Sequence, residues 1–141
     1  MLKELIQDGY GIKENLHCAE TILYGANQAY HLDLNFDSLK LSAAFGGGMN
    51  IESVCGVLTG SLMVLGKFFV LDVADKYPKI KELSKELFDT FQKEMGDIMC
   101  KPLKDNYRTE EKRCRDVILK GAEILDKIVT RELKSLSNDL L

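Results

Sequence analysis

Four cysteines, Cys18, Cys55, Cys100 and Cys114, are the residues of this chain best suited to chemistry. They are separated by 36, 44 and 13 residues. There is no C-x-x-C pair, so the spacings of a thioredoxin-like redox motif and of a zinc knuckle are both absent. A thiolate binds metal or attacks a disulfide, whereas a buried free thiol is an ordinary small hydrophobe. The surroundings of each cysteine must decide between these roles. Cys55 follows the turn Gly46-Gly47-Gly48 and opens an apolar run. That places it near a helix N-terminus, where free N–H groups and the positive end of the dipole favour a thiolate, and makes it the expected most acidic thiol of the four. Gly56 and Gly60, four residues apart, leave one helical face bare, open to a neighbouring helix backbone or to an inorganic cluster. Cys114 lies within Lys112-Arg113-Cys114-Arg115, whose positive charge also lowers a thiol pKa. Cys100, just before Pro102, reads as part of a loop over residues 97–108.

Other candidates are weaker. His17 could be a ligand or a proton donor, but adjacent positions on a helix point about 100° apart. His31 falls at a helix end, and Tyr24, Tyr30, Tyr77 and Tyr107 read as packing. The triple glycine lacks the G-x-x-x-x-G-K-[ST] pattern and follows no strand, so nucleotide binding is rejected.

The elements that must position these residues are helical, because apolar residues recur at three- and four-residue steps and nowhere alternate with period two. One helix is expected over residues 14–31. A short one, capped by Asn35 or Asp37, runs through Phe45 and stops at Gly46. The next is capped by Asn50 or Ser53, carries Cys55 in or near its first turn and extends to about Leu71. A further helix starts around Pro78, shows the stripe Ile80, Leu83, Leu87, Phe88, Phe91 and Met95, and stops at Gly96. Thr109 is the expected cap of a last long helix with Cys114 and Val117 on its buried side. The expectation is an all-α fold, a compact bundle of four substantial helices plus one short helix, in one domain spanning residues 1–141.

Composition narrows the function. With 19 Lys and Arg against 22 Asp and Glu, the net charge is −3 among 141 residues, which argues against broad phosphate neutralisation and so against nucleic acid as a partner. Residues 1–8 carry acids and no apolar run, unlike a secretory signal. The uncharged stretch from Val54 to Gly66 is thirteen residues long, short of the about 20 that a membrane span needs. A buried central helix is the better account, and the expected location is the cytoplasm, where thiols stay reduced. A long apolar helix of this kind has few partners within so small a chain, so a symmetric homodimer is expected.

Three blocks carry a family resemblance: Asn15-Leu16-His17-Cys18-Ala19, Ala44-Phe45-Gly46-Gly47-Gly48-Met49, and Cys55-Gly56-Val57-Leu58-Thr59-Gly60 followed by Leu62-Met63-Val64-Leu65-Gly66. Together they resemble the C_GCAxxG_C_C family of redox-active proteins, and Cys100 and Cys114 fall where its two later cysteines are expected. Two departures are visible. Val57 stands where the family usually has Ala, and Leu16-His17 separates Asn15 from Cys18. A similar segment occurs in split-Soret cytochromes, which carry an iron–sulfur cluster beside their haems. The haem part is not matched, since no C-x-x-C-H is present. The resemblance implies a redox role, with Cys18, Cys55, Cys100 and Cys114 as ligands of an iron–sulfur cluster, [2Fe–2S] in preference to [4Fe–4S]. It also implies Gly56 and Gly60 beside the cofactor and electron transfer with a partner oxidoreductase. Two other readings stay open: a metal-free thiol–disulfide redox protein, and a non-catalytic helical module whose cysteines hold zinc or simply pack.

Overall fold

A computed structural model describes residues 1–139. Among them are seven α-helices and no strand: α1 (Leu2–Gln7), α2 (Cys18–Ala29), α3 (Phe36–Leu39), α4 (Gly56–Phe69), α5 (Lys79–Met95), α6 (Cys100–Tyr107) and α7 (Arg115–Asp139). The all-α expectation holds. The four long helices are α2, α4, α5 and α7, and three short ones rather than one accompany them.

Local signals set several boundaries where the sequence puts them. Asn35 caps α3, its side-chain oxygen accepting the Ser38 N–H at 2.9 Å, and a 3-10 turn (Lys40–Phe45) carries the chain on to Gly46. Gly96 ends α5 with φ +87°, the left-handed conformation that glycine adopts freely. Other boundaries differ. The chain continues past Gly46 in a left-handed turn, so that neither Asn50 nor Ser53 caps α4. Cys55 itself is the capping residue. Residues 100–107 form a helix where a loop is expected. Thr109 does accept a backbone N–H through its hydroxyl, from Lys112 at 3.0 Å, but this closes a tight loop in which Thr109 and Arg113 also exchange backbone hydrogen bonds. The last helix therefore starts only at Arg115.

α4 is the centre of the molecule. Val57, Leu58, Val64 and Leu65 are fully buried, and the helix packs on α2, α5 and α7. Its own chain thus covers it, which removes the reason for expecting a second copy around it. α2 and α4 approach closely at Gly60, where an added Cβ would stand 2.8 Å from the Ala19 carbonyl oxygen and 3.2 Å from Ile22 Cβ. α1 is held from a distance. Asp126 of α7 accepts the Leu2 N–H at 3.0 Å, the Lys3 N–H at 2.9 Å and the Tyr30 hydroxyl at 2.6 Å. One carboxylate thereby caps α1 and joins it to α2 and α7. Among the described residues no helix is long and apolar enough to cross a membrane.

Candidate functional site

Each of the four cysteines stands at the N-terminus of a different helix. Cys18 is the first residue of α2, Cys55 caps α4, Cys100 opens α6, and Cys114 immediately precedes α7. All four line one cavity of about 770 Å³. A helix N-terminus carries unpaired N–H groups and roughly +0.5 elementary charge. Four such ends therefore converge on the space that the thiols border. Only Cys55 shows this placement in the sequence: Cys18 comes to a helix end because α2 spans Cys18–Ala29 and not 14–31, and Cys100 and Cys114 because α6 exists and α7 starts late.

Two backbone devices hold the cysteines in register. The segments around Cys55 and Cys100 pair as a short antiparallel bridge, Val54 opposite Met99. In it the Cys55 N–H donates to the Ile98 carbonyl at 2.9 Å and the Cys100 N–H donates to the Ser53 carbonyl at 2.6 Å. Beside this bridge runs a left-handed turn with φ of +62° at Gly47, +63° at Gly48, +60° at Met49 and +62° at Asn50. Two of these residues are not glycine, a costly choice of about 1–2 kcal/mol each. The Asn50 side-chain amide helps to fix the turn by donating to the Ala44 carbonyl at 3.3 Å. Gly48 is needed for space as well as for φ. A Cβ there would stand 2.5 Å from Ser53 N and 2.8 Å from Cys100 Cβ.

The remaining glycines divide between the site and the packing around it. A Cβ at Gly56 would stand 2.4 Å from Cys18 Sγ, so this glycine leaves room for the thiol of the facing helix. Gly60 lies one turn further along, against the α2 backbone. At Gly46 a Cβ would stand 2.3 Å from His17 Nδ1. The imidazole thus packs flat on the turn, and the Glu20 carboxylate engages both His17 Nε2 at 3.1 Å and the His17 backbone N–H at 3.2 Å. His17 pins the N-terminus of α2 to the glycine turn. Val57, the departure from the family pattern, is accommodated by Gly121 of α7, where a Cβ would stand 1.9 Å from Val57 Cγ1.

Electrostatics correct the acidity order read from sequence. Burial first, and then negative charge on Cys18, Cys100 and Cys114, pushes the Cys55 thiol up to about 12, against the Val57 N–H that faces its sulfur. Desolvation outweighs the helix end because Cys55 is only 6% exposed. Cys100 is also raised, first by burial and then by Cys18, with Lys104 opposing. Cys114 is raised by burial against the pull of Arg108, so its basic sequence neighbours do not make it acidic. No disulfide joins these thiols. Burial thus holds Cys55, Cys100 and Cys114 above the ordinary thiol value, and negative charge on a neighbouring cysteine adds to the rise at each.

A cation core would reverse that balance, because a coordinating thiol is deprotonated by the metal's charge. Among the described residues, no group of three or more His, Cys, Asp or Glu closes on a common point as the ligands of a single ion do. The thiolates of an iron–sulfur cluster bind more than one iron and stand apart across it. The four thiols border one cavity, and their chemistry suits soft metal ions such as iron or zinc.

The family model described as "Putative redox-active protein (C_GCAxxG_C_C)" matches residues 16–128, a span that contains all four cysteines and the glycine turn. Comparison with curated proteins and with solved structures returned no match. On the strength of that span, the chain belongs to the C_GCAxxG_C_C family of redox-active proteins.

Proposed function

We propose that Cys18, Cys55, Cys100 and Cys114 hold an iron–sulfur cluster, and that the protein passes single electrons to or from a partner oxidoreductase. The observation that carries this reading is the convergence of four cysteine-bearing helix N-termini on one cavity. When bound, such a cluster supplies a one-electron redox centre. The chain's own groups supply the rest. The helix ends and the nearby Lys104 and Arg108 offset the negative charge of four thiolates. Val57, Leu103, Val117 and Ile118 keep water from the inner wall, which tunes a redox potential through burial. Gly56 leaves Cys18 its place, and Gly60 sets the depth at which α2 meets α4. A reducing compartment such as the cytoplasm would keep the four thiols free for loading.

The metal-free alternative needs an attacking thiolate. A thiol raised to about 12, as at Cys55, is scarcely ionised at neutral pH, which makes Cys55 a poor attacking group. Anaerobic purification tests the choice. Brown protein with bound iron and sulfide supports the cluster, and the iron-to-chain ratio separates [2Fe–2S] from [4Fe–4S]. Colourless protein that loses free thiols on mild oxidation would establish the disulfide alternative, and stoichiometric zinc the structural one.

A further inference from the structure

The mouth of the cavity differs in charge from the rest of the chain. Five Lys or Arg side chains line it against one carboxylate, Glu111, although the net charge of the whole sequence is −3. Two of the five are committed elsewhere. Lys104 pairs with Glu52 at 3.4 Å, and Arg115 donates to the Ile6 carbonyl and, at 2.8 Å, to that of Tyr10. Arg108, Lys112 and Arg113 are exposed on the loop between α6 and α7, and among the described residues none of them has an ion-pair partner. Beside them on the same rim is Ile12, 62% exposed.

Arg108 also reaches Cys114, whereas Lys112 and Arg113 are free among the described residues. An exposed apolar side chain sharing a rim with free cations has the anatomy of a small protein–protein contact, with apolar and polar parts. Redox encounters sit at the low end of interface size and depend on charge complementarity for their rate. A small-anion site would instead need converging buried donors, and no buried side-chain nitrogen or oxygen among the described residues lacks a hydrogen-bond partner. We infer that the mouth of the four-cysteine cavity docks an acidic electron-carrier protein, received by Lys112 and Arg113 with Ile12 on the same rim. The inference rests on the redox reading above and adds the surface and the partner's charge.

The test uses the anaerobically purified full chain with two probes, an acidic flavodoxin and a basic cytochrome c, and iron is measured in every sample. The expected result is association with flavodoxin that weakens steeply with salt, and none with cytochrome c. The double variant K112E/R113E should lose at least tenfold in affinity with its iron content unchanged, and E111K should gain affinity. Equal binding of both probes would overturn the inference, as would unchanged affinity in K112E/R113E. So would binding of inorganic phosphate at this loop without flavodoxin association. Iron-free wild-type protein that still binds flavodoxin in this salt-dependent way would sink the cluster reading and uphold the docking surface. Iron-loaded protein that ignores flavodoxin would do the opposite.

Discussion

Val57 Cγ1 occupies the space that a side chain at position 121 would need, 1.9 Å from where a Gly121 Cβ would stand. The two residues are 64 positions apart in sequence and face each other between α4 and α7, at the wall of the cysteine cavity that Val57 lines. Gly121→Ala should therefore destabilise the protein by about 1–3 kcal/mol through overpacking, despite the better helix propensity of Ala. Val57→Ala should rescue it. A double-mutant cycle read by denaturant unfolding should give a coupling of about 0.5–3 kcal/mol, and additive effects would show that the contact has no energetic weight.

The two central glycines of the left-handed turn should respond differently. Both have positive φ, but a Cβ at Gly47 meets only Asn50 Oδ1, at 3.9 Å, whereas one at Gly48 meets Ser53 and Cys100. Gly47→Ala should cost about 1 kcal/mol, the backbone effect alone. Gly48→Ala should cost more and displace Cys100, so melting temperature and iron content should fall together. Equal loss in both variants would mean that conformation, and not space, is what matters.

Serine replacement of each cysteine should remove most of the bound iron, with Cys100→Ser as damaging as Cys55→Ser. Both are buried, and the antiparallel bridge between residues 54 and 99 fixes one relative to the other. The sequence alone suggests a milder effect at Cys100 because it reads as a mobile loop. Iron-to-protein ratios of the four anaerobically purified variants provide the measurement, and full retention in any one removes that residue from the ligand set.

The iron-free protein should lose stability in alkali. Cys55 ionises near 9.0 when solvated but only near 12 in the folded chain. Between those values the unfolded state releases a proton that the folded state retains, so stability falls as pH rises through that window. It is fully present below about 9. Protein loaded with iron holds thiolate already and should show a flatter profile over the same range. Thermal melts from pH 7 to 11 on both forms distinguish them, and parallel curves would show that Cys55 is protonated in both.

Local chemistry made much of the helical frame readable. The Asn35 cap, the Gly96 stop and the stripe of α5 depend on residues within a few positions of one another. α1 depends instead on Asp126, more than a hundred residues away, and no neighbour announces it. Residues 100–107 hide a helix because Pro102 and four charged or amide residues leave Cys100 and Leu103 as its only buried positions. The cysteines could be singled out by type and family pattern. Their shared position at helix ends could not, since it depends on where α2, α6 and α7 begin. Thr109 misleads for a related reason: its hydroxyl makes the hydrogen bond of a cap, but in a tight loop.

The attachment of α7 has a consequence for how the protein matures. This helix brings Cys114 to the cavity, closes over Val57 through Gly121 and holds α1 through Asp126. Chains emerge from the ribosome N-terminus first, at about 5–20 residues per second. Cys114 emerges ahead of α7, but until that helix has docked nothing holds the fourth thiol beside the other three. Any metal donor acting during synthesis would meet an unassembled ligand set. If the cysteines hold the proposed cluster, the order of synthesis makes its loading wait for α7 to dock, so that products truncated within α7 keep all four thiols without the helix that sets the fourth.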